Sequence, residues 1–211
     1  ENDGHINERN QIYLPFFTKN IAEKYALGSE EKLKKLCQEY DLIIPKPADV
    51  NTIKAFGKQQ NNVLELMLKT IKEIKPQYYQ CAVDYFKQDK HRGYNCYLMR
   101  KDLFFELCDF QFSVLFDMYK SIKDTDELKQ YPRTFGYVGE ILYGIYLNSL
   151  IDKNIRQKEL RLVFTENNSI NNSFISKTII LLKYYGKTIL LKYFPTSLQK
   201  VIKNLYHKIL K

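Results

Sequence analysis

The chain has 211 residues, 45% hydrophobic and 27% charged, with Tyr 17, Phe 13 and no Trp. That composition is normal for a globular protein that buries a core, and the length suits one domain plus an appendage. The formal net charge is +9, but from Glu166 onward there are eight Lys against one acid, so the first 165 residues are close to balanced. A nucleic-acid-binding domain carries its excess on the folded body, so this distribution argues against one and makes the partner question a question about the tail.

In chain order, residues 1–28 read as an irregular arm that packs through Tyr13, Leu14, Phe16 and Phe17. The opening ENDGHINERN lacks an initiator Met and any signal peptide, and reads as a piece of a longer product. SEEKLKKLCQEY predicts a short helix, with Ser29 as N-cap and Glu30 and Glu31 in the first turn. Leu42 to Ile44 predict a buried strand, stopped by Pro45 and Pro47, and ADVNTIKAFGKQQ a loop. Val63, Leu64, Met67, Leu68, Ile71 and Ile74 repeat at helical spacing over 61–75. Pro76 opens a second helix to about Gln88, with Tyr79, Ala82, Val83 and Phe86 inward.

DKHRG is a turn and YNCYLMR an aromatic-rich strand. Lys101 to Ile122 predict a long helix with Leu103, Phe104, Leu107, Cys108, Leu115, Met118 and Tyr119 on its core face. After a loop over 123–132, RTFGYVGEILYGIYL begins another helix, to about Ile151; LRLVF is a last strand and TENNSINNS a polar linker. The tail beyond it is basic and amphipathic: Leu198, Val201, Ile202, Leu205 and Ile209 form one stripe, with Lys200, Lys203, His207, Lys208 and Lys211 opposite. Such a helix lies on an anionic membrane surface or docks on the protein with its Lys face in water. No run of 18 uncharged apolar residues exists to span a bilayer.

Most catalytic signatures are missing, including phosphate-binding glycine loops, G-x-S-x-G and H-E-x-x-H. Cys37, Cys81, Cys96 and Cys108 form no C-x-x-C pair and read as small buried hydrophobes in a reducing compartment, not as a zinc site. Asp124 and Asp126 have D-x-D spacing but no apolar strand ahead to hold them, so they read as a solvated loop, as does the pair Asp84 and Asp89. Two stretches remain. In HRGYNCYLMR, Gly93 permits a sharp turn or close approach, Asn95 offers donors and acceptors, and His91 is a side chain that titrates near neutrality. In RTFGYVGE, Arg133 and Glu140 share a helix face about two turns apart, and Gly136 leaves a gap between them. The same spacing serves a salt bridge with Gly136 present for close packing.

These stretches, with LKKLCQEYDLIIPKP and LKTIKEIKPQYYQCAVDYF, stand in the order of a bacterial family of capsular and exopolysaccharide glycosyltransferases, long described only as a domain of unknown function. The chain resembles that family over about residues 29–165, through a YD-x-I-x-P-K strand, an Asn-bearing strand ending in Met and a basic residue, and an Arg-x-x-Gly-x-x-x-Glu helix. The resemblance implies an α/β fold of the GT-A, Rossmann-like kind, helix-rich with few short strands, followed by basic amphipathic C-terminal helices. It divides the chain into a glycosyltransferase-like domain over 1–165, the second half of the family's fold without its nucleotide-binding first part, and a tail over 166–211. It implies a nucleotide-sugar donor, a saccharide or lipid-linked saccharide acceptor, an anionic membrane surface met by the tail at the inner face of the cytoplasmic membrane, and no nucleic acid. Glu140 becomes the candidate general base, Arg133 its orienter or a donor-phosphate ligand beside Gly136, and Asn95 and His91 contacts to sugar hydroxyls. The cofactor stays open between none and Mn2+ or Mg2+. The competing class is a non-enzymatic adaptor recruited to a membrane-bound assembly.

Overall fold

The computed structural model describes residues 5–6, 10–16, 19–24, 29–48, 52–92, 94–125, 133–151, 153–167 and 185–186. The amphipathic stripe predicted over 198–211 lies outside them. The chain divides into two compact units. One comprises Glu1–Asn7, Gln11–Gly28 and Val163–Lys211, the other Glu8–Asn10 and Ser29–Leu162.

In the first unit, β1 (His5–Ile6) pairs antiparallel with β2 (Ile12–Phe16), and β2 pairs parallel with β6 (Val163–Asn167). A short helix, α1 (Lys19–Lys24), follows β2. The arm expected to be irregular is therefore partly a sheet, because β6 supplies a partner from far along the chain. Tyr13 stacks on Phe164 with ring centroids 5.3 Å apart, and Leu14 is fully buried.

In the second unit, α2 (Glu30–Glu39) starts as its sequence dictates, with the Ser29 hydroxyl accepting from the Lys32 N–H at 3.4 Å. β3 (Leu42–Pro45) is the middle strand of a second sheet, antiparallel to β4 (Leu98–Met99) and parallel to β5 (Gln157–Leu160). Asp41 pins that sheet. Its buried carboxylate accepts from the Arg156 backbone N–H at 3.0 Å and from the Arg156 guanidinium at 2.9 and 3.1 Å, with Arg100 3.3 Å away. The Arg156 hydrogen bonds hold the Asp41 carboxyl well below the usual carboxylate range.

Four helices make the core against β3: α3 (Thr52–Ile74), α4 (Tyr79–Lys87), α5 (Lys101–Ile122) and α6 (Thr134–Asn148). α3 begins at Thr52, so the expected loop over 48–60 is mostly helix. Lys54, Ala55, Lys58, Gln59 and Gln60 are good helix formers, and extending a helix requires no second nucleation. A 3-10 turn over Pro76–Tyr78 precedes α4 and shifts its phase, so Tyr78, Ala82 and Tyr85 are buried while Tyr79 and Phe86 are only half-buried. α5 has the expected bounds, but its buried stripe is Leu103, Leu107, Phe110, Val114 and Met118. Phe104 and Tyr119, expected inward, are exposed. The predicted strand over 160–164 is two strands, β5 and β6, belonging to different sheets. Cys37 and Cys96 are exposed and Cys81 and Cys108 half-buried, so none is the buried hydrophobe expected. Among the described residues no helix is long and apolar enough to cross a membrane.

α6 positions the candidate site. From Val138 to Leu147 only Glu140 escapes full burial, so its C-terminal two-thirds is locked in the core. The Tyr146 hydroxyl shares its proton between the Leu103 carbonyl at 2.9 Å and Glu106 Oε2 at 3.2 Å. Tyr78 and Lys153 also donate to Glu106, at 3.0 and 3.1 Å. The N-terminal third of α6 emerges from this brace.

Candidate active site

Arg133 is the N-cap residue of α6, and Arg133, Gly136, Tyr137 and Glu140 follow at spacings of three, one and three. They share one face of the helix, about 10 Å long from first to last. Arg133, Gly136 and Tyr137 are exposed, and Glu140 is half-buried. The Arg133 guanidinium lies over the Tyr137 ring, 5.4 Å from its centroid. Among the described residues a Cβ built on Gly136 meets nothing within 4 Å, so this glycine is an open notch and not a point of close packing. The tight glycine is Gly144, where a Cβ would overlap the Tyr85 ring and hydroxyl. At Gly139 the neighbour is Gln111, whose amide donates to the Gly139 carbonyl at 2.8 Å and fixes α5 against α6.

The 91–97 stretch reaches α6 one turn further on. Tyr97 packs on Tyr143, with ring centroids 5.2 Å apart, and Tyr143 is three residues beyond Glu140. Tyr143 Oη is fully buried and, among the described residues, is the side-chain polar atom left without a hydrogen-bond partner. Burial pushes its phenol up. Tyr94 adopts φ 70, a left-handed conformation unusual for a bulky residue, and its carbonyl accepts from the Cys96 N–H at 2.5 Å. Asn95 and Cys96 are exposed at the tip of this turn, and Gly93 lies outside the described residues. Arg92 is anchored through Nη1 to the Pro45 carbonyl at 3.4 Å and through Nη2 to Glu159 at 2.5 Å.

His91 differs from its expected role. It is 3% exposed, its backbone pairs with Ala48, and its Nδ1 lies 2.8 Å from Tyr85 Oη. Tyr85 Oη also accepts from the Arg92 N–H at 3.2 Å, and its own proton finds an acceptor at His91 Nδ1 when the imidazole is the Nε2–H tautomer. Burial lowers the imidazole pKa to about 4, so His91 is neutral at physiological pH and does not titrate there. Burial also pushes the Tyr85 phenol up to about 12.

The structure therefore gathers Arg133, Gly136 and Glu140 on one face, sets Asn95 on a loop whose Tyr97 rests against the same helix, and turns His91 inward. Tyr137, whose ring lies under the Arg133 guanidinium, and Tyr143, a buried core aromatic, were not singled out in the sequence. Their offsets of four from Arg133 and three from Glu140 were the available signal. Of the D-x-D pair, Asp124 is exposed beside Lys123, and Asp126 lies outside the described residues. Asp84 accepts from Gln80 and Lys87 on the surface of α4. Among the described residues no cluster of His, Cys, Asp and Glu could hold a metal ion.

This helix-rich α/β arrangement is a glycosyltransferase-like fold. It is similar to the apo structure of the bifunctional glycosyltransferase WbbM, with a TM-score of 0.67 over 82% of this chain, at 19% identity. The chain spans 33% of the length of that protein. It belongs to the family described as a domain of unknown function (DUF4422), whose pattern matches residues 9–154. No curated protein matches it.

Proposed function

We propose that this chain is part of a glycosyltransferase of capsular, exopolysaccharide or lipopolysaccharide synthesis, moving a sugar from a nucleotide-sugar donor to a saccharide or lipid-linked saccharide acceptor. The observation that carries the reading is the α6 face, where a half-buried carboxylate, Glu140, stands beside an open notch at Gly136 and below a guanidinium at the helix N-terminus. Glu140 takes the proton from the acceptor hydroxyl as that oxygen attacks the anomeric carbon, while the bond from that carbon to the donor phosphate breaks and the nucleotide leaves. Arg133 and the positive end of α6 favour the phosphate charge that develops. Asn95 contacts sugar hydroxyls. The basic tail meets an anionic membrane at its cytoplasmic face, where a lipid-linked acceptor is carried.

The test uses this chain and the longest gene product that contains it. UDP-, GDP-, CMP- and dTDP-sugars, with and without Mn2+ or Mg2+, are screened for a rise in melting midpoint, since a ligand of the native state raises it by mass action. Transfer is then assayed with the donor found. Glu140→Gln should lower kcat roughly 100-fold or more while leaving the donor-induced shift in place. Full transfer by that variant removes Glu140 from the chemistry, and no shift with any donor in either form favours the adaptor class.

A further inference from the structure

β3 and β5 run parallel, so their carboxyl ends lie at the same end of the sheet. Lys46 and Arg161 are the residues that follow them. The Lys46 N–H donates to the Leu160 carbonyl at 2.9 Å, which carries the pairing of Pro45 with Leu160 one step on and sets Lys46 beside Arg161. Side chains alternate along a strand, so both residues belong to the face of the sheet that carries Ile44 and Glu159. Neighbouring strands are about 4.8 Å apart, and two cations that close on one face repel.

Both cations are held in place. Lys46 stands between Pro45 and Pro47, and the proline that follows it confines its backbone to the extended region, which fixes the direction of its stem. Arg161 Nε donates to Asn10 Oδ1 at 3.1 Å, and Asn10, at φ 59, donates through Nδ2 to the Pro47 carbonyl at 3.4 Å. That spends Nε and leaves the two Nη nitrogens. Among the described residues neither these nor Lys46 Nζ has an acidic partner. Glu159, on the same face, is taken by Arg92 Nη2 at 2.5 Å. Asp89 and Lys90, exposed in the turn before His91, offset each other, and Glu8, Arg9 and Asp49 lie outside the described residues. The described groups at this end of the sheet thus leave Lys46 and Arg161 uncompensated.

In α/β sheets ligands sit outside the carboxyl ends of parallel strands. A lysine point charge beside a guanidinium with two open donors matches a group that carries several anionic oxygens, and a diphosphate has enough to meet both side chains where a carboxylate fills one fork. The turn that carries Asn95 enters β4 from this same end, because β4 runs antiparallel to β3. We propose that Lys46 and Arg161, with Asn10 orienting the guanidinium, form a diphosphate-binding site at the carboxyl ends of β3 and β5. The site stands on this geometry and uses neither Glu140 nor Arg133. Its natural source of diphosphate, a nucleotide donor or the linkage of a saccharide acceptor to its lipid, rests on the proposed function.

Calorimetric titration of the full chain with inorganic pyrophosphate, with sulfate at the same ionic strength as the comparison anion, tests it. The expected result is saturable binding, tighter than that of sulfate and weakened by added salt. Lys46→Gln and Arg161→Gln should each lower the affinity roughly tenfold or more, and Asn10→Ala several-fold. Lys158→Gln, on the opposite face of β5 over the Tyr40 ring, should leave it unchanged. Without any anion Lys46→Gln should raise the melting midpoint, since it removes the repulsion. Pyrophosphate binding that is absent, no tighter than that of sulfate, or unchanged in Lys46→Gln and Arg161→Gln overturns the proposal, as does a lower midpoint for Lys46→Gln. Displacement of pyrophosphate by UDP or GDP but not by geranyl diphosphate assigns the nucleotide donor, the reverse assigns the lipid carrier, and displacement by both supports a site that reads the diphosphate itself. Displacement by neither overturns it as a substrate site. Failure of any of these leaves the Glu140 assignment standing, because the transfer assay with Glu140→Gln tests that separately.

Discussion

Gly136 and Gly144 lie on the same helix two turns apart, and the structure assigns them opposite responses to one added methyl group. In a helix interior Ala is intrinsically better than Gly by about 1 kcal/mol. At Gly136 none of the described residues stands within 4 Å of the new Cβ, so Gly136→Ala should keep most of that gain. At Gly144 the new Cβ overlaps the hydroxyl and ring of Tyr85, which is 2% exposed and cannot swing into solvent without leaving the core. Displacing it breaks the hydrogen bonds to His91 and from the Arg92 N–H, at about 1 kcal/mol each, and overpacks the site by about 1–3 kcal/mol. After the propensity gain, Gly144→Ala should lose about 2–4 kcal/mol, a fall in Tm of roughly 4–16 °C for a chain of this size. Urea and thermal unfolding of both variants measure this. Tyr85→Ala removes the obstacle, so Gly144→Ala made in that background should be neutral or stabilising, a coupling that a double-mutant cycle reads directly. A Gly144→Ala protein as stable as the parent would refute the packing argument. The same pair bears on function: Gly136→Ala should leave the fold firmer and yet lower transfer activity, because the methyl group fills the notch beside Glu140.

Three further outcomes follow from the polar interior. The folded-state pKa of Asp41 is depressed, so the stability it supplies is complete above about pH 4 and fades as pH falls further. Asp41→Asn should therefore unfold at lower denaturant near neutrality, with the gap to the parent closing in acid-denaturation curves. His91 is also depressed, to about 4, so between pH 6.5 and that value the unfolded chain binds the proton more readily and stability falls by up to roughly 1.4 kcal/mol per pH unit. His91→Gln should remove that limb, and 15N shifts of the imidazole should show a neutral Nε2–H ring at pH 6. Tyr146→Phe loses the donor to Leu103 and Glu106 and should cost about 1–2 kcal/mol by urea unfolding, without altering the circular dichroism spectrum.

The elements legible in the sequence were those whose local signals agree. Ser29 capping α2, the four-residue apolar run of β3 and the bounds of α5 all follow from short-range chemistry. What escaped depends on partners distant in the chain. β2 is a strand because residue 163 and its neighbours run beside it, and no pattern within residues 12–16 announces that. β5 reads Gln-Lys-Glu-Leu, a polar edge strand recruited by β3 and held at its start by Arg156 and Asp41. Phe104 and Tyr119 were misplaced because α5 is apolar on both sides, and a period of 3.6 cannot choose between two faces that both satisfy it.

For the site, spacing alone put Arg133, Gly136 and Glu140 on one helical face, since offsets of three and four hold in any α-helix. Spacing did not distinguish an open glycine from a packed one. Gly136, Gly139 and Gly144 all fall within the same fifteen-residue helix, and only their surroundings separate them: empty space, the Gln111 amide, and the Tyr85 ring. His91 fails for a related reason. Its neighbours Lys90, Arg92 and Gly93 advertise an exposed turn, while Tyr85, six residues earlier on α4, draws the imidazole inward and takes its Nδ1. Gly144 is what permits that, because the ring of Tyr85 occupies the place of the missing side chain. Gly144, Tyr85 and His91 thus form one structural unit. The chemistry that the α6 face can do is left to the residues that remain in contact with solvent.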